Sequence, residues 1–218
     1  VMMSGKRWGY VVQFFCLLVF LGMSPFLIKM DGRKTMSVSS DSVRSQNVSD
    51  EVKPVVALTF DDGPNASSTP ILLDGLKERK VRATFFLIGE NVEKDENEKI
   101  VKRMYEEGHL IGNHTYTHCN LSKLETGEAK KELEQTDTVI EKITGKQPVF
   151  VRAPYGELPV DSEQDLNRIY IGWTVDPLDW MTEDTGAVVK TVVEEINPGD
   201  VILLHDCYKS SVEAALRI

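Results

Sequence analysis

The sequence has 218 residues, a hydrophobic content of 41% and a formal net charge of -9. These values suit one sizeable globular domain with an appended segment. They argue against a general nucleic-acid binder, because such a protein needs a basic face that neutralises phosphates. Neutral or cationic partners fit the acidic balance better.

The first thirty residues differ in kind from the rest. Lys6 and Arg7 precede Trp8–Ile28, a run without charged residues, and about 20 apolar residues are enough to span a bilayer. Positive charge before such a run favours a cytoplasmic N-terminus and an exported remainder. A cleaved signal peptide is the alternative, but its apolar region is usually shorter and no clear small-x-small cleavage site follows. We therefore expect residues 1–30 to be a single-pass anchor in the cell membrane, with the rest of the chain extracellular, or secreted if the segment is cleaved.

Residues 31–53 are rich in Ser, Asp, Val and Lys and show no apolar periodicity. Such a composition cannot bury enough apolar surface to offset the entropy lost on ordering. We predict a flexible polar linker here, followed by one folded domain over residues 54–218.

From residue 55 onward, apolar runs predict strands that alternate with helices. Ser122 and Glu125 are spaced as a capping box before the longest helix. The strands are predicted at residues 55–58, 83–88, 109–112, 148–151, 170–175 and 201–204. The helices are predicted after a cap at residue 68 or 69, and at residues 97–107, 124–144, 162–168, 187–196 and 211–218. This alternation is typical of a parallel α/β architecture.

Polar clusters follow the first, third, fourth, fifth and sixth of these strands. In a (β/α) barrel, one rim gathers every loop that follows a strand. We therefore predict a distorted barrel of parallel strands rather than an open sheet. No strand is followed by a glycine-rich phosphate fingerprint, so a nucleotide cofactor is not expected.

The first strand ends in two adjacent carboxylates, Asp61 and Asp62, which Gly63-Pro64 follows at once. Gly-Pro breaks regular structure, and the carboxyl end of a strand is where α/β proteins collect chemistry. Taken alone, the pair could be a turn in which Asp-Gly supplies favourable dihedrals. Because successive side chains of a strand point in different directions, we expect the two carboxylates to face different partners.

His114 and His118 are four residues apart, in a chain with only four histidines. On a helical turn this spacing would place both imidazoles on one face, close enough to bind one metal ion. The alternative is a pair of unrelated surface histidines. Two histidines and one carboxylate form a ligand set of catalytic zinc sites, which leaves one position open.

Five motifs in order now point to a family: TFDDGP, HTYTH, RAPYG, DPLDW and LLHD. Together with TPILLDGLKERKVRATFFLIGENV, they make residues 55–218 resemble the NodB-type polysaccharide deacetylases of carbohydrate esterase family 4. Relatives usually complete the last helix and often add a strand. Because the sequence ends at Ile218, we expect either that it is shortened or that the barrel is left incomplete at its C-terminal end.

The resemblance implies that Asp62, His114 and His118 bind one divalent metal ion, most often zinc, with cobalt or manganese as alternatives. It implies that Asp61 is the general base that activates the attacking water. It implies that His205 is the general acid, because an amine leaves poorly unless it is protonated.

Five further roles follow from the same resemblance. Arg152 would orient and charge-pair the base, and Asp179 would hold the acid histidine in a useful tautomer and raise its pKa. Taken alone, these two would be a surface salt bridge and a turn residue. Tyr155 would donate its backbone N–H to the oxyanion. Trp180 and Leu203 would form a hydrophobic wall for the acetyl methyl group, with ordinary core packing as the alternative.

Four further residues, in or directly after these motifs, are also singled out. Asp176 and Asp206 are candidates for supporting positions behind the site. Cys119 follows a candidate ligand, and Cys207 follows the LLHD motif. We hypothesise a disulfide between them in an exported domain, with two separate buried cysteines as the alternative.

The expected function is metal-dependent removal of N-acetyl groups from N-acetylglucosamine units of a cell-wall polysaccharide, with peptidoglycan favoured. A chitin-oligomer deacetylase and an O-acetyl xylan esterase are the enzymatic alternatives. The non-enzymatic alternative is an inactive carbohydrate-binding module of the same fold. The partner is an N-acetylated glycan in the favoured case, and the oligomeric state is not predicted.

Overall fold

The computed structural model describes residues 55–94, 96–160, 162 and 167–218. The expected anchor and linker over residues 1–53, and most of the predicted helix at 162–168, lie outside the described residues. One compact unit runs from Pro54 to Ile218. Among the described residues, no helix has the length and apolar character needed to cross a bilayer.

Six parallel strands form one curled sheet in the part of the chain that the structure describes. Their order is β5-β4-β3-β2-β1-β6, so the last strand lies beside the first. The strands are β1 (Ala57–Gly63), β2 (Thr84–Leu87), β3 (Leu110–Asn113), β4 (Phe150–Val151), β5 (Ile169–Tyr170) and β6 (Val201–His205). All the neighbouring pairs run parallel. This confirms the predicted parallel α/β fold, as a distorted half-barrel.

The segment after β5 brings the two edges of the sheet together. The sequence predicts one strand over residues 170–175, but only Ile169–Tyr170 are regular strand. Further along, Val175 forms an isolated parallel bridge with Ile202 of β6. The barrel is therefore joined here by a short contact rather than by a full strand.

The side chain of Arg152 explains this irregularity. The carbonyl oxygens of Ile171 and Gly172 accept hydrogen bonds from its guanidinium at 3.3 and 2.9 Å. Because these two carbonyl groups bind the arginine rather than a neighbouring strand, the predicted strand is interrupted in its middle.

The helices pack outside the strands. They are α1 (Thr69–Arg79), α2 (Gly89–Val92), α3 (Asn97–Glu106), α4 (Thr126–Thr144), α5 (Thr185–Glu195) and α6 (Lys209–Ala215). The short α2 is not predicted from the sequence. The capping box at Ser122 and Glu125 is wrong: the amide and hydroxyl of Ser122 donate to the Asn120 side chain at 3.0 and 2.7 Å. Ser122 therefore lies in a separate 3₁₀ turn, Leu121–Lys123, and α4 begins after it.

Alternation along the strands separates an outer core from the barrel interior. Phe60 of β1 and Phe85 of β2 stack at 5.3 Å and belong to the main apolar cluster beneath the helices. Thr59 and Asp61, on either side of Phe60, point the other way and accept hydrogen bonds from the buried Arg152, which directly follows β4. The barrel interior is thus polar at the rim where the loops after the strands gather.

Candidate active site

A β-bulge at the end of β1 presents both carboxylates at one place. The residues on either side of Asp62 pair with consecutive residues of β2, so Asp62 is one extra residue in the strand. Its φ of 70° lies in the left-handed region, which is uncommon for a residue other than glycine. Bulges often re-aim side chains beside active sites. Oδ2 of Asp61 and Oδ1 of Asp62 consequently lie 3.7 and 3.4 Å from Nε2 of His114.

Three potential metal-binding atoms converge beside this bulge. Oδ1 of Asp62 lies 3.4 Å from Nε2 of His114 and 3.2 Å from Nε2 of His118. The ligand atoms of the three side chains all lie within 4.8 Å of one another. Nδ1 of His114 is 2.6 Å from the carbonyl oxygen of Arg152. Because a carbonyl only accepts, Nδ1 carries the proton and Nε2 presents its lone pair to the other two side chains.

This arrangement suits a divalent cation. Oδ1 of Asp62 is buried and accepts no hydrogen bond from any residue that the structure describes, an unfavourable state unless a cation fills the space. Burial lowers the pKa of His118, which favours its neutral, metal-binding form. Burial alone would raise the pKa of Asp62, but His114 and His118 lower it, so the carboxylate stays ionised. Two imidazoles and a carboxylate fit a divalent transition metal.

The two histidines lie in an irregular loop, not on the helical turn that their spacing suggested. Their ring centroids are 5.1 Å apart, but Thr115 and His118 have φ values of 65° and 59°. Side chains from outside the loop accept its backbone N–H groups. Asn113 accepts from Thr115 at 2.8 Å, and Glu132 accepts from the next two residues at 2.9 and 2.8 Å.

Arg152 and Asp61 form a buried ion pair behind the bulge. Nη1 of Arg152 donates to Oδ1 of Asp61 at 2.8 Å and to Oγ1 of Thr59 at 2.7 Å. The guanidinium also lies over the Phe86 ring, 4.2 Å from its centroid. Arg152 is 1% exposed, which rules out a surface salt bridge. The pair fixes one carboxylate oxygen of Asp61 and leaves the other facing the histidines.

His205, at the end of the neighbouring strand β6, forms a second pair with Asp179. His205 is in register with Asp61 across β1 and β6. Oδ1 of Asp179 lies 2.8 Å from Nδ1 of His205, and Oδ2 accepts the His205 backbone N–H at 2.8 Å. Burial alone would lower the pKa of His205, but the hydrogen bond and charge of Asp179, together with Asp61 and Asp62, raise it. Asp179 is 2% exposed, so it is more than a turn residue.

Tyr155, Trp180 and Leu203 differ in their surroundings. Tyr155 is 65% exposed, has a φ of 62°, and its hydroxyl lies 3.3 Å from Nδ1 of His118. Trp180 is 51% exposed, which excludes ordinary core packing. Leu203 is buried and pairs in register with Thr59, on the inner face of the barrel. The two exposed aromatic residues therefore lie where a bound molecule could contact them.

The carboxylate of Asp206 packs against Gly63 at the end of the bulge, whereas that of Asp176 caps a local turn. Oδ2 of Asp206 accepts from Oγ1 of Thr69 at 2.5 Å, and a Cβ added at Gly63 would come 2.4 Å from Oδ1 of Asp206. Burial raises the pKa of Asp206 to about 7. The carboxylate of Asp176 accepts the N–H two residues later at 3.0 Å, in a local turn.

Cys119 and Cys207 are free thiols, so the expected disulfide is wrong. Burial raises the pKa of Cys119 and of Cys207, and nearby carboxylates raise both further. Thiols in such surroundings stay protonated and are weak nucleophiles.

Several supporting residues are not among the site residues that the sequence predicted. They are Thr59, Phe86, Asn113, Glu132 and Trp173, whose ring lies 5.8 Å from the Arg152 guanidinium. Of these residues, only Thr59 could have been predicted from the sequence, because side chains two positions apart on β1 share a face and Thr59 therefore lies on the same face as Asp61.

Comparison with known proteins agrees with this geometry. Residues 49–171 match the family model for polysaccharide deacetylase. The chain is 44% identical over 156 residues to a peptidoglycan-N-acetylglucosamine deacetylase of Bacillus cereus, covering 70% of this chain and 56% of that protein. It is 38% identical over 174 residues to the peptidoglycan-N-acetylmuramic acid deacetylase PdaC of Bacillus subtilis, covering 80% of this chain and 37% of that protein.

A solved structure of the peptidoglycan deacetylase PdaC from Bacillus subtilis has the same fold. It aligns with a TM-score of 0.74 and 39% identity, over 78% of this chain and 83% of that chain. The chain spans only 56% and 37% of the length of the two curated relatives. The family match nevertheless includes the bulge, the histidine loop and the buried arginine. The chain therefore belongs to the polysaccharide deacetylase family.

Proposed function

We propose that this domain is a metal-dependent deacetylase that hydrolyses the N-acetyl groups of N-acetylglucosamine units in peptidoglycan. One observation carries the proposal: Asp61, paired with Arg152, and His205, paired with Asp179, lie in register on the adjacent strands β1 and β6 beside the metal-binding atoms. Hydrolysis of an amide needs an acceptor for a proton of water and a donor for the leaving amine. The buried carboxylate can accept the proton of water, and the histidine of raised pKa can donate a proton to the amine.

We assign Asp62, His114 and His118 as the ligands of one divalent ion, with zinc preferred over cobalt or manganese. Two features support this assignment. Oδ1 of Asp62 accepts no hydrogen bond from the described residues, and Nε2 of His114 presents its lone pair toward it. When bound, such an ion supplies Lewis acidity to the acetyl carbonyl and to the attacking water.

Asp61 is the proposed general base. Its Oδ1 is held by Arg152, and its Oδ2 faces the ligand side of the site, 3.7 Å from Nε2 of His114. Arg152 keeps this carboxylate in one orientation, so that a single oxygen is directed toward the reacting water.

His205 is the proposed general acid. Its Nδ1 is engaged by Asp179, so Nε2 is the nitrogen that donates a proton to the departing amine. This role favours amide over ester hydrolysis, because an alcohol leaves without full protonation far more readily than an amine. Replacing His205 with alanine should therefore impair release of acetate from amides much more than from acetyl esters. Equal impairment of both would favour the O-acetyl xylan esterase.

Tyr155, Trp180 and Leu203 are proposed to bind the acetyl group. The backbone N–H of Tyr155 would stabilise the oxyanion, while Trp180 and Leu203 would contact the methyl group from the rim and the interior. The exposure of Trp180 supports its contact with a ligand, because large exposed apolar side chains often mark binding grooves.

The substrate is proposed from the names of the relatives, which act on N-acetylglucosamine and N-acetylmuramic acid of peptidoglycan. Acetate release should be measured on peptidoglycan, N-acetylglucosamine oligomers and acetylated xylan, with zinc supplied. We expect the highest kcat/KM on peptidoglycan. Faster release from chitin oligomers would favour the alternative deacetylase. Binding without release from any substrate would favour the inactive carbohydrate-binding module.

We also propose that Trp8–Ile28 anchors the domain in the cell membrane, with the catalytic domain outside. The proposal rests on the charge pattern of the sequence alone. Cell fractionation should find the full chain in the membrane and a variant lacking residues 1–30 outside it. Recovery in the medium of a shortened chain that lacks this segment would instead indicate cleavage.

A further inference from the structure

The loop between the two candidate histidine ligands is held by a side chain from α4. Its backbone lacks the hydrogen bonds of a helix, and Thr115, which is fully buried, has a left-handed φ of 65°. This conformation is strained for a β-branched residue. It persists only where the surroundings determine it, so the partners of the loop decide where His118 lies relative to His114.

Glu132 supplies most of these partners. Its Oε2 accepts the backbone N–H groups of Tyr116 and Thr117 at 2.9 and 2.8 Å, and its Oε1 accepts the Thr117 hydroxyl at 3.1 Å. One carboxylate thus binds three donors on two consecutive residues. Hydrogen bonds to an ionised acceptor are roughly twice as strong as those between neutral groups.

The carbonyl side of the same loop is fixed independently. The carbonyl oxygens of Thr115 and Tyr116 accept the N–H groups of Gly89 and Glu90 at the start of α2, each at 3.0 Å. The loop is therefore clamped between α2, which binds its carbonyls, and Glu132, which binds its amides.

The position of α4 is itself tied to the end of β3. Nδ2 of Asn113 donates to the carbonyl of Leu133 at 2.8 Å and to Oδ1 of Asp137 at 2.6 Å. Since Leu133 follows Glu132 in the helix, this connection fixes the distance of the Glu132 carboxylate from the histidine loop.

We propose that Glu132 is a positioning residue for the metal site, acting through the backbone of residues 116 and 117. This inference rests on the proposed metal site of Asp62, His114 and His118. Without Glu132, the two amides lose their acceptor and the loop can relax. Nε2 of His118 would then leave its place 3.2 Å from Asp62. Outer partners that orient metal ligands typically change metal affinity by about 10–100-fold when they are mutated.

The test is the zinc affinity of Glu132→Ala, measured by competition with a chromogenic chelator. We expect binding about 10–100-fold weaker than in the wild type, while the metal-free variant keeps its far-UV circular dichroism. Glu132→Gln retains one carbonyl oxygen as acceptor, so it should bind zinc more tightly than Glu132→Ala.

The matched control is Glu134→Ala on the same helix. The Glu134 side chain is 56% exposed and pairs with Lys130 at 3.5 Å, away from the loop. It should bind zinc like the wild type.

Zinc binding by Glu132→Ala within about twofold of the wild type would overturn the role of Glu132. If Glu132→Ala does not fold, amide hydrogen exchange of Glu132→Gln decides. Exchange at residues 116 and 117 should be faster than in the wild type, and unchanged exchange with unchanged zinc affinity would overturn the inference. Failure of the wild-type domain to bind zinc would instead refute the metal site itself.

Discussion

Nη1 of Arg152 lies 2.8 Å from Oδ1 of Asp61, and the two side chains are only 1% and 5% exposed. The backbone carbonyl of the same arginine accepts a hydrogen bond from His114. A single residue, directly after β4, therefore orients both the candidate base and one candidate metal ligand.

Removing the arginine should destabilise the domain strongly. Arg152→Ala leaves the Asp61 carboxylate buried without its partner, and breaking a buried ion pair from one side costs about 3–5 kcal/mol. Urea unfolding of the metal-free domain measures this loss. The double variant Asp61→Asn, Arg152→Ala removes the uncompensated charge and should be more stable than Arg152→Ala alone. If the losses of unfolding free energy in the two single variants add up to the loss in the double variant, the broken ion pair is not the cause of the destabilisation.

Asp61→Asn should separate catalysis from metal binding. Asparagine keeps the shape of the side chain but is not a base, so acetate release should fall by about 10²–10⁴-fold. Zinc stoichiometry and affinity, measured by chelator competition, should remain close to the wild type, because Asp62 provides the carboxylate ligand. Substantial residual turnover would contradict the role of Asp61 as the base.

Asp179→Asn should shift the pH dependence of catalysis. The Asp179 carboxylate raises the pKa of His205 against the opposing effect of burial, so its neutralisation should lower that pKa. A general acid must be protonated, and kcat falls as pH rises through its pKa. The basic limb of the pH–kcat profile should therefore move to lower pH in the variant. An unchanged basic limb with a reduced kcat would show that Asp179 acts only on geometry.

Gly63→Ala should disturb the bulge that carries Asp62. The added Cβ would lie 2.4 Å from Oδ1 of Asp206, a fully buried carboxyl group. Such overpacking costs about 1–3 kcal/mol, and the shift should also weaken zinc binding. Gly127→Ala is the matched control, because nothing lies within 4 Å of a Cβ at that helical position. Equal stability of the two variants would show that the contact with Asp206 is not restrictive.

The strands and helices were largely predictable because their signals are local. The continuous apolar run around Phe85 and the glycine after Thr144 mark a buried strand and the end of a helix, and both occur where they were expected. The prediction of one strand over residues 170–175 was wrong because the Arg152 side chain binds two of its carbonyls. No local pattern reveals such a tertiary hydrogen bond.

The site was predictable in its residues but not in its geometry. Asp62 and His118 were singled out by residue type and spacing, yet the helical turn assumed for the histidines is a loop with left-handed residues. The bulge at Asp62 depends on pairing with β2, and the support of the loop comes from Glu132, fourteen positions beyond His118 in the sequence. These features arise from packing between elements distant in sequence, which periodicity does not encode.

The most direct test of the central claim is acetate release from peptidoglycan by the domain before and after metal removal. The zinc-loaded domain should release acetate, the chelated domain should not, and added zinc should restore the rate. A domain that releases acetate equally well after complete metal removal, or that releases none with zinc bound, would contradict the proposed metal-dependent deacetylase.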